Sequence, residues 1–371
     1  MDSIQFIARF NRGGTAEWLK VLIPGLRSRG SRSELYSGYV QEGEVEDLSF
    51  IRLGGVKIES LGRGINFFRD FKSFLKFRKI LRETRPSVVN THTSKAGVIG
   101  RLAALSLLER PAIVHTYHGH LLYGYFSGFK LRILVVIEKF LANRSDVLIA
   151  AGDRVRNELL DFEIGKEDQY VIASPGIIKP KAITEIDFRI KLGISENRIV
   201  VGWLGRLTKI KRPDRVLRLA LEFPEIIFLM GGDGELFDQL SETKPENVHL
   251  LGWVEPTNLW TCSDIALLTS ENEAQPIALI EAGLFGIPAI AENVGSVCEV
   301  IQDRVTGYLT NTQEERVKNL GILINDLKLR RELGQNALEF CSINFSVEQF
   351  INFHMAAYEK ALVRRKKAKI H

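Results

Sequence analysis

The stretch Asp264-Ile265-Ala266-Leu267-Leu268, then Glu273-Ala274-Gln275-Pro276-Ile277-Ala278-Leu279-Ile280-Glu281-Ala282-Gly283, then Gly286-Ile287-Pro288-Ala289-Ile290, decides how the chain is read. A short apolar run, a polar loop, a helix-length apolar segment and a second short apolar run make one strand–helix–strand unit of a parallel sheet. Glu273 falls on the loop and Glu281 in the helix that follows. A carboxylate in the second place is suited to accept two hydrogen bonds from a ribose diol. Glu273 is placed to hold sugar hydroxyls, and the backbone between Ala274 and Ile277, across Gln275 and Pro276, can offer N–H groups to phosphate.

The same alternation extends outward in both directions. Before the midpoint, strand-like runs are expected at 4–10, 33–40, 56–61, 87–92, 112–117, 146–150 and 170–173, with helices beginning near Thr15, Asn66, Lys95, Gly128 and Asp153. After it, strands are expected at 198–204, 226–231, 248–251, 264–268 and 288–291. Pro175-Gly176-Ile177 opens a seam through position 183 where both periodic patterns lapse. A chain of 371 residues therefore reads as two α/β domains, and their ligand site is expected at the strand-end loops of both halves, across a cleft.

Composition narrows the class. The apolar fraction of 45% and charged fraction of 26% are those of a globular protein. Cys262, Cys298 and Cys341 show neither paired nor metal-ligand spacing, which favours a reducing, cytoplasmic setting. The opening run Ile4-Gln5-Phe6-Ile7-Ala8 lacks a basic leader, and the apolar run 133–137 is too short to span a bilayer. Eight basic residues stand against two acidic ones between Arg63 and Arg85, and Arg364-Arg365-Lys366-Lys367-Ala368-Lys369 forms a second basic cluster. Two such patches suggest an anionic surface as partner, either lipid headgroups or nucleic acid.

Three further segments carry candidate chemistry. Asn11-Arg12-Gly13-Gly14-Thr15 follows the first strand, and its glycines let backbone approach a ligand at a helix N-terminus. It matches neither the dinucleotide fingerprint nor a Walker A loop. His92 and the run His115-Thr116-Tyr117-His118-Gly119-His120 put histidines at strand ends. His118 and His120 share one face of an extended segment. Hydrogen bonding or proton handling by His118 is the favoured role, because no Cys or carboxylate cluster accompanies the pair to make a metal site. Gly205-Arg206-Leu207-Thr208-Lys209-Ile210-Lys211 places Arg206 and Lys211 across a turn, where fixed cations can stabilise a departing diphosphate. The chain contains no Asp-x-Asp pair, so these cations are expected to act in place of a metal.

Taken together, these residues resemble the retaining glycosyltransferases of family 4, which have the GT-B fold. Glu273 and Glu281, with Pro276, Ala282, Gly286 and Pro288, look like that family's E-x7-E motif. Gly205-Arg206-Leu207 with Lys211 resembles its donor-phosphate clamp, and Gly13-Gly14 its N-terminal glycine loop. Gly231-Gly232-Asp233-Gly234-Glu235 and Leu251-Gly252-Trp253-Val254 resemble its nucleotide-contacting strand ends, and Glu299 a further recurring glutamate. The segment 91–125 resembles members that build exopolysaccharide, capsule or lipopolysaccharide. Ala274-Gln275 departs from the usual glycine after the first glutamate, and Thr15 stands where many relatives have another small residue or Pro.

The resemblance implies an acceptor-binding domain over 1–177 and a nucleotide-sugar-binding domain over 178–350, both Rossmann-like. It also implies a helix over 351–371 that returns to the first domain and carries the basic tail. It implies transfer from a UDP-sugar with retention, without metal or cofactor. Arg206 and Lys211 would stabilise the diphosphate, Glu281 hold the ribose, Glu273 orient the sugar hydroxyls and His118 hydrogen-bond the sugar. Gly13, Gly14, Thr15, His92, Gly234, Trp253, Ala274, Gln275, Pro276 and Ile277 complete the expected substrate contacts. The expected acceptor is a saccharide or lipid-linked saccharide, the expected surface the inner face of the plasma membrane, and nucleic acid is no partner. A nucleotide-sugar epimerase of the same fold and a non-catalytic membrane-surface protein are the alternatives.

Between positions 66 and 85, Phe67, Phe71, Phe74, Leu75 and Leu81 recur at helical steps. Arg69, Lys72, Lys76, Lys79 and Arg82 fall on the other side. This predicts an outer helix packed through its phenylalanines, with a basic face for solvent or anionic lipid.

Overall fold

The computed structural model describes residues 1–41, 44–62, 64–119, 128–178 and 188–370. Its chain divides into two units, Met1–Gly176 with Val347–His371, and Ile177–Ser346.

The first unit is built on seven strands, β1 (Ser3–Ile7), β2 (Ser33–Ser37), β3 (Val56–Lys57), β4 (Val88–His92), β5 (Ala112–Tyr117), β6 (Val147–Ala150) and β7 (Tyr170–Ile172). They pair in parallel in the order β3-β2-β1-β4-β5-β6-β7. Its helices are α1 (Gly14–Ser28), α2 (Ser49–Arg52), α3 (Phe67–Thr84), α4 (Ser94–Leu105), α5 (Gly128–Ala142) and α6 (Asp153–Asp161). Side chains alternate along each strand. Ile4 and Phe6 therefore pack with Phe77 and Leu81 of α3, while Ile7 packs with α1. Because both faces are covered, β5 and β6 are buried at every position, as parallel strands require.

The second unit has α7 (Phe188–Lys191), β8 (Val200–Leu204), α8 (Asp214–Glu222), β9 (Ile227–Gly231), α9 (Phe237–Thr243), β10 (Val248–Leu250) and α10 (Pro256–Cys262). It continues with β11 (Ile265–Leu268), α11 (Ile277–Leu284), β12 (Ala289–Glu292), β13 (Gly307–Thr310), α12 (Gln313–Asn325) and α13 (Leu327–Asn344). The six strands are parallel in the order β10-β9-β8-β11-β12-β13. Edge strand β13 was not expected from sequence, since Gly-Tyr-Leu-Thr is too short and too mixed to stand out. Cys262 and Cys341 are buried, and Cys298 is half-buried.

A last helix, α14 (Val347–Ile370), belongs to the first unit. Phe350, Ile351, His354, Ala357, Tyr358 and Ala361 recur at helical spacing and are all buried against that unit's core. Buried polar contacts fix its register. Trp18 Nε1 of α1 donates to His354 Nε2 at 3.3 Å, and Gln5 Nε2 and Asn90 Nδ2 donate to the Tyr358 hydroxyl at 3.1 and 3.0 Å.

Helix α3 follows the expected stripe only in part: Leu81 is buried and Phe74 packs against the core, but Phe67, Phe71 and Leu75 do not. Its buried residues are Ser73, Phe77 and Leu81, with Phe77 stacked on Phe6 at 3.8 Å. Phe67, Phe68, Phe71 and Leu75 face outward, at 79%, 85%, 55% and 48% exposure. Helix phase is set by the residues that fit the sheet, and the Ser73–Phe77–Leu81 row fits beneath Ser60 and Phe6. The phenylalanines of the first two turns are thus left beside the basic residues, on the outer side.

Candidate functional site

In each sheet the strand order reverses direction once, between β1 and β4 and between β8 and β11. Loops leaving two such strands diverge, opening a crevice at their C-terminal ends where ligands of α/β sheets bind. The candidate residues cluster at these two points.

In the second unit, Arg206 follows β8 and Glu273 follows β11. Lys211 Nζ donates to Glu273 Oε1 at 2.5 Å, and Ser270 Oγ donates to the same oxygen at 2.6 Å. Thr269 Oγ1 donates to the Lys211 carbonyl at 2.9 Å and accepts from buried Trp203 Nε1 at 3.0 Å. The Glu271 amide donates to the Ile210 carbonyl. Both loops are therefore stitched into one platform. Arg206 is exposed and has no carboxylate partner among the described residues.

Glycine permits the close approach of the neighbouring loops. A Cβ on Gly232 (φ 134°) would lie 1.9 Å from the Gly205 carbonyl oxygen, and one on Gly295 (φ 48°) 1.9 Å from that of Glu273. Leu207 N–H donates to the Asp233 carbonyl beside Gly234, and Gly232 N–H to that of Gly252 beside half-exposed Trp253. Pro276 has no N–H to offer. It caps α11 instead, its carbonyl accepting from Leu279 and Ile280. Ile277 opens the helix, and Glu281 lies partly exposed in its second turn. Gln275 is buried; its Nε2 donates to Glu299 Oε2 at 2.7 Å, while its Oε1 has no hydrogen-bond partner. Ala274 is half-buried beside it.

In the first unit, Gly13 (φ 147°) caps α1 with open space above it, and Gly14 and Thr15 begin the helix. One turn on, Trp18 meets His118 edge-on at 4.9 Å between centroids. His92 Nδ1 and His118 Nε2 lie 2.8 Å apart, and His92 Nε2 lies 3.1 Å from Gln5 Oε1. Burial holds both imidazoles neutral, His92 well below the usual histidine range and His118 down to about 3, each also disfavoured by a neighbouring histidine. Gln5 Oε1 can only accept, so His92 carries its proton on Nε2. Its Nδ1 then accepts from His118 Nε2, and His118 Nδ1 is left as a lone-pair acceptor. Thr93, next to His92, holds φ 66° and ψ 154°, a region costly for any residue but glycine.

Two expectations differ here. His115 is no strand-end residue but an interior one, its Nδ1 2.8 Å from Thr91 Oγ1 and its ring beneath α4. His120 lies outside the described residues. Gln5, Trp18, Ser270 and His354 were not anticipated: Gln5, Trp18 and His354 support a candidate from a distant part of the sequence, and Ser270, three residues from Glu273, carries no signal of its own. Among the described residues, no group of three His, Cys, Asp or Glu is placed to hold a metal ion. No described helix is long and apolar enough to cross a membrane.

Two parallel-sheet Rossmann-like units of seven and six strands are the architecture of the GT-B fold. The model for glycosyltransferase family 4 matches residues 12–177, and that for glycosyl transferases group 1 matches residues 184–340. With both halves matched, the chain belongs to glycosyltransferase family 4.

Relatives include an Escherichia coli UDP-Gal:alpha-D-GlcNAc-diphosphoundecaprenol alpha-1,3-galactosyltransferase, 28% identical over 75% of this chain and 76% of that one. The Staphylococcus aureus capsular polysaccharide biosynthesis glycosyltransferase CapM is 25% identical over 76% and 79%. Among solved structures, HepE of Anabaena in complex with UDP superposes with a TM-score of 0.80 at 19% identity, covering 97% of this chain and 100% of that one.

Proposed function

We propose that this protein is a retaining, metal-independent glycosyltransferase. It moves a sugar from a UDP-sugar to a saccharide or lipid-linked saccharide acceptor in cell-surface polysaccharide synthesis, at the inner face of the plasma membrane. The observation that carries the reading is the Lys211–Glu273 pair at the β8–β11 switch point, with Glu281 on the helix behind it. The names of relatives support the donor and acceptor classes: HepE was solved with UDP and with UDP-glucose, and the Escherichia coli relative is named for UDP-Gal and a diphosphoundecaprenol-linked sugar.

In the proposed reaction the bond between the sugar C1 and the β-phosphate oxygen breaks. The acceptor hydroxyl oxygen bonds C1 from the same face, and its proton passes to a β-phosphate oxygen of the departing UDP. Arg206 and Lys211 stabilise the charge that develops on the diphosphate, as preorganised cations do without a metal. Glu273 orients the sugar hydroxyls while holding Lys211 in position, and Glu281 receives the ribose diol. His118, neutral and with Nδ1 as acceptor, takes a hydrogen bond from a sugar hydroxyl. Gly13, Gly14, Thr15, His92, Gly234, Trp253 and the 274–277 loop complete the substrate contacts. The outer face of α3 meets anionic headgroups.

Incubation with UDP-glucose, UDP-galactose and their N-acetyl forms, with and without a lipid-linked saccharide, tests this. The expected result is acceptor-dependent UDP release that persists in EDTA, with the donor's anomeric configuration kept in the product. An inverted product, or activity abolished by chelation, would contradict it. Turnover of the donor without any acceptor would point to an epimerase.

A further inference from the structure

The second unit holds a buried charge cluster to which the proposed chemistry gives no role. Glu292 ends β12 and Arg316 lies in α12, and both are buried. Glu292 Oε1 accepts from Arg316 Nη2, and Arg316 Nη1 donates to Gln313 Oε1 of the same helix. A buried carboxylate is costly unless paired, and Arg316 alone supplies a pair. A second guanidinium nevertheless reaches the same oxygen. Arg215 Nη1, from the first turn of α8, lies 3.4 Å from Glu292 Oε1.

The same Arg215 nitrogen donates to the Thr269 carbonyl at 3.0 Å. Thr269 is fully buried, one residue past β11, where the ladder with β12 stops at Leu268 and Ala291. A buried carbonyl in that place needs a donor from outside the sheet, and Arg215 is that donor. The Thr269 hydroxyl in turn holds the Lys211 carbonyl, and buried Ser270 holds Glu273 Oε1. Two consecutive residues thus fix the backbone of one member of the Lys211–Glu273 pair and the carboxylate of the other. A second link joins the same loops at the surface, where Arg212 Nη1 donates to Glu271 Oε1 at 2.6 Å. Those side chains are 26% and 49% exposed, so solvent screens them and the pair is worth little. The Arg215 link runs instead from a buried carboxylate to a buried carbonyl.

We infer that Arg215, oriented by the buried Glu292–Arg316 pair, is the positioning residue that keeps Lys211 and Glu273 aligned for sugar transfer. It acts by placing Thr269 and Ser270, which in turn place the pair. This rests on the proposed transferase reading and names what aligns its central pair. A misplacement of about 1 Å at a reacting centre can cost on the order of 10² in rate, so a remote anchor of this kind shows in turnover before it shows in affinity.

Kinetics with the UDP-sugar that the full chain turns over, calorimetry with UDP and hydrogen exchange together test the inference. Arg215→Met is expected to lower kcat by about tenfold or more while UDP affinity stays within about twofold, the split of a group that acts on the transition state alone. Arg215→Lys, which can still donate to the Thr269 carbonyl, should recover most of that loss. Glu271→Gln, which cuts only the exposed link, should leave kcat within about twofold. In a Lys211→Met background, Arg215→Met should cost less than about threefold, because residues that act through one another are not additive. Exchange at the Glu271 and Ser296 amides, which donate to the Ile210 and Glu273 carbonyls, should quicken in Arg215→Met while β9 is unaffected.

An equal loss in both backgrounds, or UDP affinity that falls in step with kcat, would overturn the inference. If Arg215→Met leaves kcat unchanged, the inference fails and the donor reading stands. If the chain neither turns over a UDP-sugar nor binds UDP, the donor reading fails. Faster exchange at Glu271 and Ser296 in Arg215→Met would then still support the placement of the loop by Arg215, and unchanged exchange would overturn it.

Discussion

Lys211 and Glu273 are 62 positions apart and meet because β8 and β11 are neighbours in the sheet. The pair does two things at once. It fixes a long, flexible cation where a diphosphate would leave, and it holds a carboxylate beside the expected position of a sugar. Lys211→Met removes the cation while Ser270 still holds Glu273. Its expected effect is a fall in turnover of about 10²–10³, the scale of one lost charge-stabilising group, with UDP still bound. Glu281→Ala should instead weaken UDP by about 1.5–3 kcal/mol, the usual worth of hydrogen bonds to a charged group, as read by calorimetry. His118→Ala should chiefly lower turnover and leave UDP binding unchanged. If both the Glu281 and His118 variants stay fully active, these roles are misassigned.

At the scale of elements, α14 and α3 make opposite demands. Helix α14 buries an apolar stripe and spends its polar groups inside, on Gln5, Asn90 and Trp18. Tyr358→Phe strips two buried amides of their acceptor and should cost about 1–3 kcal/mol in chemical denaturation. Helix α3 presents apolar and basic side chains on its outer side, the composition of a helix that lies on a membrane surface. Neutralising Lys72, Lys76 and Lys79 to Gln should lower binding to phosphatidylglycerol vesicles, by about 1 kcal/mol per residue near the surface. Vesicle binding that the triple variant leaves untouched would remove the membrane from the account.

Both helices also show where sequence reading reaches its limit. The period of α3 was plain, but its phase was not, because the expected stripe Phe67, Phe71, Phe74, Leu75 and Leu81 shares only Leu81 with the Ser73–Phe77–Leu81 row that is buried, with Phe74 at its margin. Hydrophobicity alone cannot choose between two stripes; the shape of the sheet beneath does.

Across the whole molecule, most strands were readable because both faces of each sheet are covered, which leaves β8 and β11 as wholly apolar runs and β1 and β4 as buried runs that begin apolar or alternate. The candidate loops were readable because glycines and charges punctuate those strand ends. The long-range contacts were not. Nothing near Gln5 in the sequence shows that its amide sets the proton on His92, or that His354 would crowd His118 through Trp18.

Those histidines give the first unit a pH response. Burial depresses His92, His118 and His354, the last to about 4, so the folded unit stays unprotonated where the unfolded chain binds protons. Stability from this source is therefore complete above the unfolded value near 6.5 and is lost as pH falls from there towards the folded values. Hydrogen exchange at pH 7 and pH 5 should show protection falling more in the β1, β4 and α14 segments than in β8 and β11. Equal loss in all five segments would show that the histidines do not govern it.

The central claim is that the second unit binds the nucleotide of a UDP-sugar, and thermal stabilisation by UDP tests it most directly. At 100 times its dissociation constant a ligand adds about 2.7 kcal/mol to the state that binds it. A clear rise in melting temperature with UDP that disappears in Glu281→Ala is the expected result. No shift with any nucleoside diphosphate, or an equal shift in that variant, would contradict it.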